Sequence, residues 1–291
     1  MEFPNYRMDK GAGRFMKISF LVAGSVIVVA LFVLPGMAQT ESEAAPEFFF
    51  TRLVYGNGRG APQVPVMDFR CKDLAPGEGG TRMGGGWGTD FPASDCKFMW
   101  GIERLTNIRV YDKTPHLVTA LDEDLFRYPY LYIVSPHRMN LSAKEAGQLR
   151  EYLLRGGFLH VDDFWGREQR YVVEEEMAKI FPDREMVRLD LKHPVFRSFF
   201  DIDKIMQIPN INNGRAVTRG LPGARTWEQQ SETEPMIFGI SDDKDNLMVL
   251  ITYNSDLGDA WEWMDDPEYP QVFTGQAYRM GLNFMIYAMT H

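Results

Sequence analysis

The chain has 291 residues, 45% hydrophobic, 24% charged and 13% aromatic, which is ample for a folded core and excludes a disordered polymer. Its formal charge is −9, and the first 38 residues hold four basic and two acidic side chains, so the remainder stands at −11. That balance argues against nucleic acid as a partner, because phosphate binding is driven by basic side chains.

In chain order, the first signal is one of targeting. Arg14 and Lys17 precede an uncharged run from Ile18 to Leu34, and Pro35-Gly36 breaks it. Gly36-Met37-Ala38 then offers small residues at the positions a signal peptidase reads. Residues 1–38 therefore read as a signal peptide cleaved after Ala38, with a retained N-terminal membrane anchor as the rival. Either way the bulk of the chain is exported, to the periplasm or the cell exterior. Residues 39–47 form a short polar linker, and 48–291 form one α/β domain. Cys71 and Cys96 both fall in the exported part, where they either pair as a disulfide or stay as two free thiols. No CxxC pattern or His/Cys cluster suggests zinc.

Phe48 to Tyr55 reads as a first strand. A long glycine- and proline-rich loop follows from Gly56 to Asp90, a length typical of lids and binding loops. Its Gly84-Gly85-Gly86-Trp87-Gly88 stretch lacks the Gly-Lys-Ser/Thr of a phosphate loop. Pro92 and Ser94 open a helix with Phe98, Ile102 and Leu105 on one face, and Ile108 to Tyr111 reads as a second strand. Leu117 to Phe126 reads as a connector. The clearest unit is Tyr128 to Gly166. Tyr130 to Val134 is an evenly apolar strand, and Ser142 with Glu145 forms a capping box. Ala146, Leu149 and Leu153 share a helix face, Gly156-Gly157 stops the helix, and Phe158 to Val161 is the next strand. This is a βαβ unit with parallel strands.

Val173, Met177 and Ile180 mark a further helix, and Met186 to Leu189 a strand. Asn210 to Glu234 is a polar stretch with little periodicity. Met236 to Ile240 and Leu247 to Tyr253 read as a hairpin closed by Asp242 to Asn246. A last helix carries Phe273, Ala277, Met280, Phe284 and Ala288 on its inner side. Alternating strands and helices predict a mostly parallel sheet covered on both faces, a three-layer sandwich with a C-terminal hairpin.

Ligands of such sheets bind outside the carboxyl ends of the strands. That rule gathers Tyr55, Trp87, Asp90, Asp112, Ser135, His137, Asp162, Asp163, Trp165, Asn254, Asp256 and Asp259 into an acidic, aromatic rim, with Trp261, Glu262 and Trp263 beyond. Each has a plainer reading. Asp162-Asp163 would cap the following turn, His160 would be a satisfied core histidine, His137 would be solvated, and Asp256 to Glu268 would be a soluble acidic loop.

Phe49 to Leu53, Trp87 to Pro92, Leu153 to Leu159 with Asp162-Asp163 and Trp165-Gly166, His193 to Phe196, and Asn254 to Asp259 together resemble the bacterial domain-of-unknown-function family 4159. The resemblance implies a flavodoxin-like fold similar to the class I glutamine amidotransferases. It implies no established activity, and it suggests a role in cell-envelope assembly beside von Willebrand A-type proteins. Amidotransferases of that superfamily carry a cysteine on the elbow after a central strand. Here that elbow is Asp162-Asp163, so glutaminase chemistry is not expected. Two functions remain. One is a non-catalytic module binding an envelope glycan or a partner protein. The other is a hydrolase using Asp162, Asp163 and Asp256 as acid and base or as ligands for calcium or magnesium. No cofactor is expected beyond such a divalent cation, and the membrane is engaged only through the N-terminal segment.

Overall fold

The structure, a computed structural model, describes residues 47–56, 62–65, 69–79, 85–111 and 114–291. The expected signal segment and cleavage point, most of the expected linker, Asp112 and part of the glycine-rich loop lie outside the described residues. By its contacts the chain separates into Met1–Ala44 and Ala45–His291, and the described residues all lie in the second unit.

Among the described residues seven strands make one sheet: β1 (Thr51–Leu53), β2 (His116–Val118), β3 (Tyr130–Val134), β4 (Phe158–Asp162), β5 (Val187–Arg188), β6 (Met236–Ser241) and β7 (Leu247–Tyr253), in the order β2-β1-β3-β4-β7-β6-β5. The pairs from β2 across to β7 are parallel. β6 is antiparallel to both its neighbours, so it alone runs against the rest. Among the described residues six helices accompany the sheet: α1 (Ala93–Leu105), α2 (Ala143–Leu154), α3 (Gly166–Ile180), α4 (Ile211–Thr218), α5 (Leu257–Glu262) and α6 (Gln271–Thr290).

The alternation of side chains along a strand explains the layers. Tyr130, Tyr132 and Val134 of β3 face one way, onto Phe98 and Ile102 of α1, Trp261 of α5 and Phe284 of α6. Leu131 and Ile133 face the other way, with Leu159 and Val161 of β4, onto Leu149 and Leu153 of α2 and Val173 and Met177 of α3. Both sides of the central strands are thereby buried, which is why they read as unbroken apolar runs. The architecture is a three-layer α/β fold. No helix among the described residues is long and apolar enough to cross a membrane.

The capping box forms as expected: the Glu145 amide donates to Ser142 Oγ at 3.3 Å and the Ser142 amide to Glu145 Oε2 at 2.8 Å. The β6–β7 hairpin also forms. Cys71 and Cys96 pair as a disulfide that ties a 3-10 turn (Cys71–Asp73) to α1.

Several expectations change. The first strand shortens to Thr51–Leu53, and the second is His116–Val118 rather than Ile108 to Tyr111, where Val110 makes only a bridge to Phe48. Three residues of strand carry too little periodicity to be seen. The connector from Leu117 is in part that strand, followed by a 3-10 turn at Glu123–Arg127. Leu105, the last residue of α1, points outward. The polar stretch after Asn210 contains α4, whose Gly214 lets the Tyr269 ring come within 2.5 Å of where a Cβ would stand. The acidic run after Asp256 opens with the buried helix α5.

Candidate functional site

Over the carboxyl ends of β3 and β4, beside α5, lies a cleft of about 540 Å³. Asp90, Ser135, His137, Asp163, Trp165, Asp256 and Asp259 line it from the rim expected in the sequence, and Thr89, Glu262 and Trp263 join them. Its far wall is Asn210, Ile211, Asn212, Glu228 and Gln229, with Gln169 from α3 and Arg138 at the mouth.

The backbone at these strand ends is unusual. Ser135 after β3 (φ 50°), Asp163 after β4 (φ 56°), Asn254 after β7 (φ 53°) and Asp90 in the loop after β1 (φ 60°) are all left-handed without being glycine. Only Asp245, in the hairpin turn, shares this among the described non-glycine residues. Asn and Asp visit this region with modest cost, but Ser135 is held there by its surroundings, and such residues concentrate where a site is built. Tyr55 Oη lies 2.9 and 2.8 Å from the carbonyls of Val134 and Ser135, and Ser135 Oγ donates to Asp163 Oδ2 at 2.9 Å.

The Asp162-Asp163 doublet divides. Asp162 is fully buried and accepts from Tyr132 Oη (2.8 Å), Thr252 Oγ1 and the amides of Leu257 (2.9 Å) and Gly258 (3.1 Å). It therefore satisfies the first amides of α5 from a neighbouring strand, a structural role outside the cleft. Burial pushes its carboxyl up to about 7 despite the donors from Thr252 and Tyr132. Asp163, one residue on, turns into the cleft and accepts from Ser135 Oγ and, at 3.0 Å, from Trp165 Nε1.

Asp256 is at once a cap and a cleft residue. Its Oδ1 accepts the Asp259 amide at 2.8 Å as the N-cap of α5. Burial, then the charges of Asp259 and Asp163, hold its carboxyl well above the usual range. Burial and the charges of Asp259, Glu262 and Asp163 do the same to Asp90, against the pull of Arg52. Burial raises Asp259 to about 6 although the Ile211 amide donates to it at 2.7 Å, and burial with the Asp163 charge raises Glu228 to about 7. Carboxyl oxygens of Asp90, Asp259 and Glu262 lie within 4.8 Å of one another, as do those of Asp163, Glu228 and Asp256. All six are oxygen donors, a set that suits calcium or magnesium better than zinc.

Besides Tyr55, whose hydroxyl is spent on the Val134 and Ser135 carbonyls, three expected rim residues do not line the cleft. Trp87 packs beside Phe91 and offers only its carbonyl, to Arg52. Asn254 is buried and spends its amide on the Gly166 N–H and the Glu234 carbonyl. Asp162 is the third. Trp261 is likewise core, its ring 4.1 Å from that of Phe98, whereas Trp263 reaches the cleft. His137 is half-buried rather than freely solvated: it lines the cleft, burial lowers its pKa, and its Nδ1 is buried without a hydrogen-bond partner. His160 is the core histidine expected, bonded to Tyr130 Oη at 2.8 Å and lowered by burial to about 3. The far wall with Glu228 was not anticipated, since nothing in a stretch without periodicity says which end of the sheet it covers.

The profile of the family described as Domain of unknown function (DUF4159) matches residues 78–289. The chain belongs to that family. The match takes in every residue of the DUF4159 cleft, together with α1 and all strands except β1. No curated protein matches the chain.

Proposed function

We propose that this domain is a ligand-binding module of the bacterial cell envelope, gripping a polyhydroxylated ligand such as an envelope glycan in the acidic cleft. The observation that carries this reading is the convergence of six carboxyl groups with the half-buried indole of Trp263 in one cavity at the strand ends. Carboxylates and the amides of Asn210, Asn212, Gln169 and Gln229 are hydrogen-bond partners for hydroxyls, and an indole face stacks on a sugar ring. The order β2-β1-β3-β4-β7 of the parallel strands supports a flavodoxin-like arrangement similar to the class I glutamine amidotransferases. Amidotransferase chemistry is not proposed, because both cysteines are consumed in the disulfide and neither lines the cleft. A disulfide also suits an exported domain, with release after Ala38 or retention by the N-terminal segment. Von Willebrand A-type envelope proteins are the proposed protein partners.

A second reading, a carboxylate- or cation-dependent hydrolase, is favoured by one feature. Asp90, Asp256 and Glu228 are held toward the neutral acid in the cleft, as a general acid must be at neutral pH. Calorimetric titration with peptidoglycan fragments, calcium and magnesium separates the readings. Glycan binding without turnover supports the module. Fragment cleavage that is lost in Asp163→Asn supports the hydrolase, and binding of none of the three removes both.

A further inference from the structure

We infer that Arg52 is a positioning residue for the cleft, fixing the backbone that carries Asp90 so that its carboxyl is held against the start of α5. Arg52 sits on β1 and is fully buried. All five of its guanidinium N–H groups are used. Nε donates to Asp95 Oδ2 at 3.0 Å, and Nη2 to Ser94 Oγ at 3.0 Å and to Asp95 Oδ1. Nη1 donates to the carbonyls of Trp87 at 2.9 Å and Thr89 at 2.7 Å. The rings of Tyr132 and Phe91 lie 5.1 and 5.6 Å from the guanidinium carbon. One side chain thus bolts down residues 87 to 95 on both sides of Asp90, whose own left-handed backbone leaves it no freedom to compensate.

The carboxyl so placed occupies a defined seat. A Cβ on Gly258 would stand 2.8 Å from Asp90 Oδ2 and 2.9 Å from Tyr132 Oη. Facing Asp90 are Arg52 from β1, Tyr132 from β3, Asp163 from the end of β4, and Asp256, Asp259 and Glu262 from α5 and its cap. A purely structural reading of Arg52 is weaker than it looks. A buried ion pair gains little over well-packed apolar side chains of like volume. What an apolar side chain lacks is a planar fork able to hold two carbonyls at a fixed spacing. Lysine carries the same charge without the fork.

The inference rests on the proposed cleft only in taking Asp90 as part of it, and its test needs no ligand. Aspartate carboxyl titrations would be followed by carbon-13 NMR, with the Asp90 signal identified by its loss in Asp90→Asn. In the parent protein Asp90 should stay protonated well above the ordinary aspartate range. In a folded Arg52→Lys variant the freed loop should let the carboxyl reach water, dropping its midpoint by about one pH unit or more. A second variant, Arg52→Met with Asp95→Leu, refills the space without charge; because it also removes the cation that lowers Asp90, it is read by backbone amide exchange, which should quicken across residues 87–91. A folded Arg52→Lys variant with the Asp90 midpoint unmoved, or a folded double variant with amide exchange unchanged, overturns the inference. Failure of both to fold also overturns it, by assigning Arg52 to the scaffold. A moved midpoint in a protein that binds none of the glycan or cation probes would leave Arg52 as inferred and remove the proposed function.

Discussion

Asp162 and Asp163 are adjacent and chemically identical, yet one is spent on a helix start and the other on a cavity. The alternation of a strand that ends at Asp162 accounts for this: the next residue turns left-handed and leaves the sheet. Asp256 shows that capping and lining a site are compatible roles. Asparagine keeps the cap, and because the buried Asp256 carboxyl is held toward its neutral form, Asp256→Asn removes little charge at pH 7. Its unfolding free energy should change by no more than about 0.5 kcal/mol. Asp256→Ala, which deletes the acceptor for the Asp259 amide, should cost about 1 kcal/mol. Asp163→Asn relieves repulsion in the cleft, so its melting temperature should hold or rise while binding of the ligand or cation is lost. Thermal melts beside calorimetric titration measure both, and a destabilised Asp163→Asn would return Asp163 to a structural role.

At the level of elements, what could be read in the sequence was whatever repeats or caps. β3, α2 and β4 were visible because Ser142 and Glu145 close a box and Leu149 and Leu153 keep helical spacing. β2 was not, since His116–Val118 is too short to show a period, and α5 was hidden because an acidic, tryptophan-rich sequence disguised a buried helix. The acidic half of the cleft was legible from strand ends, whereas the wall from Asn210 to Gln229 was not, because only the tertiary fold brings it there. Two element-scale outcomes follow from packing. Gly281 of α6 lies where a Cβ would stand 2.6 Å from the Trp261 ring and 2.7 Å from Phe98. Helix propensity favours Gly281→Ala by about 1 kcal/mol, but overpacking typically costs about 1–3 kcal/mol. The net effect should be destabilising, read by urea unfolding. Replacing Cys71 and Cys96 together by alanine opens a loop spanning 25 residues and should cost about 2–4 kcal/mol, again by urea unfolding.

For the whole molecule, the buried carboxyls set how stability answers to pH. Asp162 and Glu228 at about 7 and Asp259 at about 6 all bind their protons more tightly when folded than when unfolded. Their contribution is fully present below the ordinary carboxylate range and is lost as pH rises through about 6 to 7. Carboxylates lowered by partners, such as Asp183 beside Arg150 at about 2, act the other way at strongly acid pH, and the buried His160, lowered to about 3, opposes the trend below its ordinary value but is outnumbered by the carboxyls. The melting temperature should therefore rise as pH falls from 8 to 5. A flat or falling profile across that window would show that the cluster is solvated or neutralised by a bound cation.

The reversed strand has a consequence for how this fold could diversify. Because β6 alone runs against its neighbours, both the end of β5 and the start of β6 lie at the same edge of the molecule as the end of β7. The long segment between them is thus delivered over the cleft without any strand depending on it for pairing. It behaves as a cassette: α4, Glu228 and Gln229 can lengthen, shorten or change chemistry while Asp163, Asp256 and the sheet stay put. Ligand choice across related chains should accordingly be written in this one exchangeable piece, and swapping it between two of them should carry preference along with it.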